Sequence, residues 1–354
     1  MAFEIALTVD GDSNKDLAAA AGRIEVYESM GETTAYRLVF GAEPAKQDIP
    51  MLTNELLDPD RELGIFAKVG DQVHCLVNGP IYGQEIKLKQ VRSGSFLVVL
   101  GGDRGVLMDR ETKIVQHADG KDSDAIQTVL GAYAKLTADV EATPASHTEA
   151  KHTTIQCETD LQFVRRLARR NGADFWIAFG EDGAETAHVR RPKLDDDPAG
   201  TIDLANPNVE EIDICWDVQR PATVSAAGID ANSKDDISGD VSASPLPALG
   251  EKAFGEIATH SGAAVLTAPV DEAGDLRARA EGLLIRSAFF LRARCALTTT
   301  AAGTLFRSHT IVTLKGAGSR HSGKYYCAAV RHIITDGNHT MQVELVRNGW
   351  GFKP

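Results

Sequence analysis

No apolar run in the 354 residues approaches the roughly 18 that a membrane span requires. The first residues, MAFEIALTVDGDS, have no basic segment leading into an apolar core, so no secretory signal and no export by the general pathway are expected. Positive charge is short, with 37 Lys and Arg against 50 Asp and Glu and a net charge of -13. Only RRLARR at 165–170 gathers it, so there is no continuous basic face to grip phosphates, and specific nucleic-acid binding is not expected. An acidic wall is compatible with a conduit that polyanions pass without sticking. Paired cysteines are missing too: Cys75, Cys157, Cys215, Cys295 and Cys327 are odd in number and never form C-x-x-C. They are expected to be small buried residues of a reducing compartment.

What is present is enough chain for two or three compact domains of ordinary soluble composition, 43% hydrophobic and 25% charged. Residues 3–9, 23–29, 35–40, 73–78, 84–91 and 95–101 are short, β-branched or aromatic segments parted by Gly, Asp, Asn and Pro, which predicts a small antiparallel barrel or sandwich. From about Leu107 the period changes. In KDSDAIQTVLGAYAKL an Asp/Ser cap precedes Ile126, Val129, Leu130 and Tyr133 on one helical face. In TDLQFVRRLARRNG, Asp160 is placed to cap, Leu161, Val164, Leu167 and Ala168 line one face, and Asn171-Gly172 supplies a left-handed exit. Strand-like segments follow each helix, so residues 107–192 form a small α/β module. Strands return at EEIDICWDV and ATVSAAGI; DANSKDDISGDVSASPLPALG is expected to be a loop or flexible insertion; a helix spans about 271–287; and four further strands complete a second β region. A weak internal echo relates the segment from Val73 to Leu100 to that from Thr310 to Leu345, each giving strand, glycine turn, strand, gap and a final alternating strand.

Candidate chemical sites do not hold up. GAGSRHSG lacks the third glycine of a dinucleotide fingerprint and precedes a strand rather than a helix. Ser322 beside His321 lacks a positioned third group and reads as turn. His321, His332 and His339, with spacings of 11 and 7, do not place two ligands on one strand or helix face, and His147, His152 and Cys157 are equally irregular; solvent-facing or capping histidines are expected. KLDDDPAG and SKDDISGD depart from the twelve-residue calcium loop and read as solvated charge. Catalytic residues, cofactors and metal ligands are therefore all assigned as none.

The order of the pieces resembles the hub proteins of contractile phage tails and related injection systems, including the late-control D proteins, the Pvc8-like hubs and the hub part of VgrG spikes. GVLMDRETKIVQHADGKDSDAIQTVLGAYAKL is similar to the family's Leu-Asp-Arg segment and D-S-D helix, carried here by Asp109 and Asp122. HTTIQCETDLQFVRRLARRNGADFWI is similar to its glutamine strand, Asp-capped helix and Arg-Asn-Gly exit, with Asp160, Phe163, Arg166, Asn171 and Gly172. ICWDVQRP is similar to the Trp216-Asp217 strand that opens a second barrel, and GAGSRHSGKYYCAAVRHIITDGNHTMQVELVRN to the closing motif, with Gly316, Gly318, Arg320, Ser322, Gly323, Tyr325, His332 and Arg347.

The resemblance implies a mixed, mainly β fold of two tube-like antiparallel β-barrel domains. The first occupies 1–106 and the second 193–230 with 286–350, separated by the α/β module at 107–192 and interrupted by a polar loop and helical insertion at 231–285. It implies a non-enzymatic homotrimer in which two barrels per chain give a pseudo-sixfold ring joining a sixfold inner tube to a threefold spike. Assembly with other baseplate components in the bacterial cytoplasm follows. Because little chain remains after the closing motif, the resemblance is to a hub whose spike is a separate protein. The readings set against it are a tail-associated hydrolase and a tail-tube subunit.

Overall fold

The computed structural model describes residues 3–42, 50–89, 94–150, 153–204, 208–229, 233–258, 260, 262–268, 270, 273–335 and 337–351. Simple alternation builds the strands. In Phe3–Val9, Leu7 and Val9 enter the core while Glu4 and Ala6 face water, the half-buried pattern of a one-sided sheet. The fold is mixed and mainly β, and its centre is a thirteen-stranded sheet.

That sheet contains one strand order twice. The first set is Phe3–Val9, Ala21–Ser29, Ala35–Gly41, Glu62–Val69, Gln72–Lys87 and Phe96–Gly102; the second is Pro198–Asp203, Ile212–Trp216, Leu291–Thr298, Ile311–Lys315, Gly323–Thr335 and Asn338–Arg347. Numbered in chain order within each set, the strands lie side by side as second, third, sixth, fifth, fourth, first in both. One ladder differs: the first strand pairs antiparallel with the fourth in the N-terminal set and parallel in the C-terminal set. The sets are sewn together by Ile24–Ser29 against Ala329–Ile334. One apolar core runs through both, from Leu7, Leu38 and Leu63 to Phe306, Tyr325 and Leu345.

Two sequence expectations change in the first strand set. Residues 73–78 and 84 onward are one strand, Gln72–Lys87, which pairs with Glu62–Val69 as far as Pro80 and with Phe96–Gly102 from Ile81. Pro80, having no N–H to donate, sits where the strand changes partner. The end of the expected 84–91 strand lies outside the described residues. Glu62–Val69 went unpredicted because ELGIFAKV buries Leu63, Gly64 and Ile65 in succession and blurs the alternation.

The α/β module has a core of its own. Helices Asp122–Leu130 and Asp160–Arg170 bring Ile126, Leu130, Phe163 and Leu167 onto Phe175, Ala187 and Val189 of a three-stranded sheet. Strand Pro221–Ile229, expected with the second barrel, pairs instead with Asp236–Ser238 and Gly262–Thr267. The inward residues Val224 and Ala226 are small enough for helix Ala273–Ser287 to lay Leu276, Ala280 and Leu284 directly on them. The expected loop at 230–250 contains strand Asp236–Ser238 and buries Leu249.

Candidate functional site

The closing motif is a cage around one cation. Strand Asn338–Arg347 delivers Arg347 fully buried, with its guanidinium donating to the carbonyls of Ser322 (3.1 Å), Leu249 (2.9 Å) and Gly351 (2.6 Å). Its carbon Cζ lies 5.3 Å from the centre of the Tyr325 ring. Among the described residues no carboxylate bonds it, and burial pushes its pKa down. Burial likewise pushes the Tyr325 phenol up to about 12, and its hydroxyl donates to His321 O at 2.7 Å. Only glycine fits at 323: φ is +134°, and a Cβ there would lie 2.7 Å from Arg347 Nη2. Gly316 and Gly318 also take left-handed angles, Ser322 Oγ accepts from Ala317 N, and Arg320 stacks over Trp350. Asn348 completes the clamp, accepting from Leu249 N and donating to Pro247 O, both at 2.9 Å. The cage thus ties the sheet to the segment around 247–249, which is why that segment is not a free loop. Trp216, half exposed, lies 5.9 Å from Trp350, while Asp217 accepts from Gln219 N beside Arg220.

In the α/β module the predicted caps are displaced by one residue. Thr159, not Asp160, caps the helix, accepting from Gln162 N and donating to Asp109 Oδ1. Asp160 sits inside the first turn and accepts from Lys113, Tyr133 and Gln156, which outweigh its desolvation and lower its pKa. Asp122 is likewise no cap: Asp124 accepts from Lys121 N there. Asp122 is buried against Arg170, His147 and Asn171, and these partners hold its carboxyl far below the usual range despite burial. Arg170, though off the helix's apolar face, therefore turns inward. Phe163 is buried on His117, and Arg166 pairs with Glu158. Asn171 ends the helix and Gly172 exits at φ +73°.

The histidines depart furthest from expectation. His332 and His339 are buried and their rings are hydrogen bonded at 3.0 Å. The antiparallel pairing of their strands brings together residues that sequence spacing had separated. His332 Nε2 approaches Glu28 Oε1 at 3.6 Å, and Glu28 also accepts from Arg307 and Ser308. Burial raises the Glu28 pKa, but Arg307, His332 and Ser308 bring it down to about 2. Arg307 donates onward to the carbonyls of Cys75 and Leu76, so the network crosses the seam between the two strand sets. Beside it, Trp176 is stacked between His309 (3.8 Å) and His188 (4.9 Å), which fixes the module to the seam. Glu28, Arg307, His309 and Trp176 carried no signal in the sequence, because their partners are brought in by distant strands. The cysteines divide: Cys75 and Cys327 are buried, Cys157 and Cys215 exposed, since the latter two lie on outward-facing strand positions. His152 lies outside the described residues. Among the described residues no cluster of three or more His, Cys, Asp or Glu is arranged to hold a metal.

The Arg347 cage, the Asp122 cluster and the Glu28–Arg307 network are each a joint between segments. The fold is that of phage-tail and secretion-system tail proteins. The tail protein from Neisseria meningitidis MC58 superposes with a TM-score of 0.69 at 15% identity, covering 98% of this chain and 97% of that one. The 43 kDa tail protein of prophage MuSo2 from Shewanella oneidensis gives 0.69 and 15%, covering 98% and 99%. The E. coli c3393 protein, a type VI secretion component described as structurally similar to T4 tail proteins gp27 and gp5, gives 0.60 and 11%, covering 100% and 79%. The chain belongs to the family described as the Alg8 N-terminal domain, which residues 3–336 match. A search of curated proteins finds no match.

Proposed function

We propose that this protein is the structural hub of a contractile injection system or phage-tail baseplate, a trimeric adaptor between a sixfold inner tube and a threefold spike. The observation that carries this reading is the repeated strand order of the central sheet. Two like units in one chain become six like units when three chains close a ring, which presents six similar patches to a tube and three identical ones to a spike. On this reading residues 1–106 form the first tube-like barrel and 193–220 with 286–350 the second, while the α/β module and the insertion brace the outside. The family motifs then act as joints: Arg347, Gly323, Tyr325 and Ser322 lock the second unit, and Asp122, Asp160, Asn171 and Gly172 lock the module. Tube subunits, spike and other baseplate proteins are the partners, and no chemistry on a substrate is required of it.

The test is assembly. Particles produced without this chain should contain neither attached tube nor attached spike. Particles that assembled both in its absence would refute the hub assignment.

A further inference from the structure

The seam inside the chain is a template for a second one. It joins the fifth strand of the C-terminal set, Gly323–Thr335, to the second strand of the N-terminal set, Ala21–Ser29. The same two strands of the opposite sets are left open. Among the described residues Ile212–Trp216 pairs only with Leu291–Thr298 and ends the sheet, and the stretch from Gly83 to Lys87 pairs on one edge only, with Phe96–Gly102. An open strand edge presents unpaired N–H and C=O groups to any chain that can continue the ladder.

The two fifth strands correspond residue by residue. Each bulges at the same step against its sixth strand, between Cys327 and Ala329 and between Ile81 and Gly83. Cys327 accepts from His309 N and donates to Thr310 O; Ile81 accepts from Asp60 N and donates to Arg61 O. Ile86 therefore answers to His332 and Leu88 to Ile334. His332 and Ile334 are buried beneath the seam, whereas Ile86 is 42% and Leu88 57% exposed. Ile86 lies opposite the buried Leu97, so it points to the core side and lacks only a cover. The second strands correspond as well, because Asp213 lies opposite Arg294 as Glu25 lies opposite Arg37. Arg294 and Arg37 in turn face Glu344 and Leu100, each of which lies across from the first residue after a bulge. Ile212 and Ile214 thus answer to Ile24 and Val26, and both are only partly covered against the core.

We propose that the open edge from Gly83 to Leu88 of one protomer pairs antiparallel with Ile212–Trp216 of the next, in the register of the internal seam. Transferring the pairs His332–Val26, Ile333–Glu25 and Ile334–Ile24 sets Ile86 opposite Ile214, Lys87 opposite Asp213 and Leu88 opposite Ile212. Two apolar pairs then face the core and one pair of opposite charge faces out, as a one-sided sheet requires. A second copy is favoured over a foreign strand because this chain already carries both halves of the joint and makes that joint once within itself. The two open strands belong to different sets, so the contact is head to tail and closes only as a ring. That three copies close it rests on the trimeric hub reading.

The test uses the chain's own Cys215, which this register sets opposite Glu85 as Tyr27 lies opposite Arg331. Met30 N donates to Ala328 O at 2.8 Å, so by alternation Arg331 and Tyr27 are a pair without mutual backbone bonds, the kind whose side chains stand closest. In the full-length chain with Cys157→Ser, a Glu85→Cys substitution should yield disulfide-linked dimers and trimers on mild oxidation of purified particles, with nothing larger. Adding Cys215→Ser should abolish them. Ile86→Glu should weaken trimerisation of the purified chain by about 100-fold or more by burying a carboxylate at every contact. Because Ile86 is exposed in the single chain, far-UV circular dichroism and the melting temperature of the monomer should not change. A disulfide formed within one chain or to a different protein, or a trimer indifferent to both oxidation and Ile86→Glu, overturns this pairing and leaves the hub standing. A chain that is monomeric both alone and in purified particles overturns the hub reading itself.

Discussion

Arg347 shows how much one side chain can hold. Its guanidinium serves three carbonyls from three separate segments, and removing it strands buried acceptors as well as the space it filled. Arg347→Ala should cost about 3 kcal/mol or more in denaturant unfolding, and Arg347→Lys should recover little because a point ammonium cannot span that fork. The seam histidines predict a pH dependence. Burial lowers His309 and His339 to about 3 and lowers His332 as well, from an ordinary value of 6.5. The unfolded chain takes up protons from about pH 6.5 downward, which the folded chain refuses until about 3, so stability falls with pH across that interval. Glu28 acts in the same sense lower down: its contribution is complete above 4.5 and is lost as pH falls toward about 2. Urea midpoints should therefore drop between pH 7 and pH 4. His309→Phe should flatten the curve by at most about 1.4 kcal/mol per pH unit, and an unchanged slope would remove His309 from the account. At this scale the motif residues were legible in the sequence but their partners were not. Ser322, Gly323, Tyr325 and Arg347 stood out as a group, whereas nothing local to Arg347 points to Leu249, nearly a hundred residues away.

Helix Asp160–Arg170 was the most readable element, because its apolar face and its Asn-Gly exit are both local signals. What the local pattern could not show is which polar residues turn inward. Arg170 lies four residues from the exposed Arg166 and yet joins the buried Asp122. Leu167→Asp should prevent folding, Arg170→Ala should cost about 2 kcal/mol or more by leaving Asp122 short of a partner, and Arg166→Ala should cost under about 1 kcal/mol. Thermal unfolding of the three variants checks the order. A sharper case is Gly282. In an open helix Gly→Ala stabilises by up to about 1 kcal/mol, but here a Cβ would meet Gly172 N at 2.7 Å and Arg170 O at 3.0 Å. Gly282→Ala should therefore destabilise, and a stabilised variant would show that the two helices are not in contact. The caps failed by one residue for a comparable reason: Asp160 and Asp122 are acceptable caps by composition, but tertiary donors claim their carboxylates first.

Over the whole molecule, the echo visible in the sequence was a real duplication read in the wrong register. The sequence suggested two short strands, 73–78 and 84–91, as the counterpart of Thr310 to Ile334. In the structure Gln72–Lys87 is one strand and answers to Gly323–Thr335, with the unpredicted Glu62–Val69 answering to Ile311–Lys315. Alternation does not reveal a strand that keeps its direction while changing partners, so the repeat could be sensed without being aligned. The parallel pairing of the insertion sheet was hidden for the same reason, since ladder direction depends on the path between strands. Three chains, each bringing two like units, should make one ring, and native mass spectrometry of the baseplate released from purified particles counts them. Three copies of this chain per baseplate is the predicted stoichiometry; six copies, or one, would contradict it.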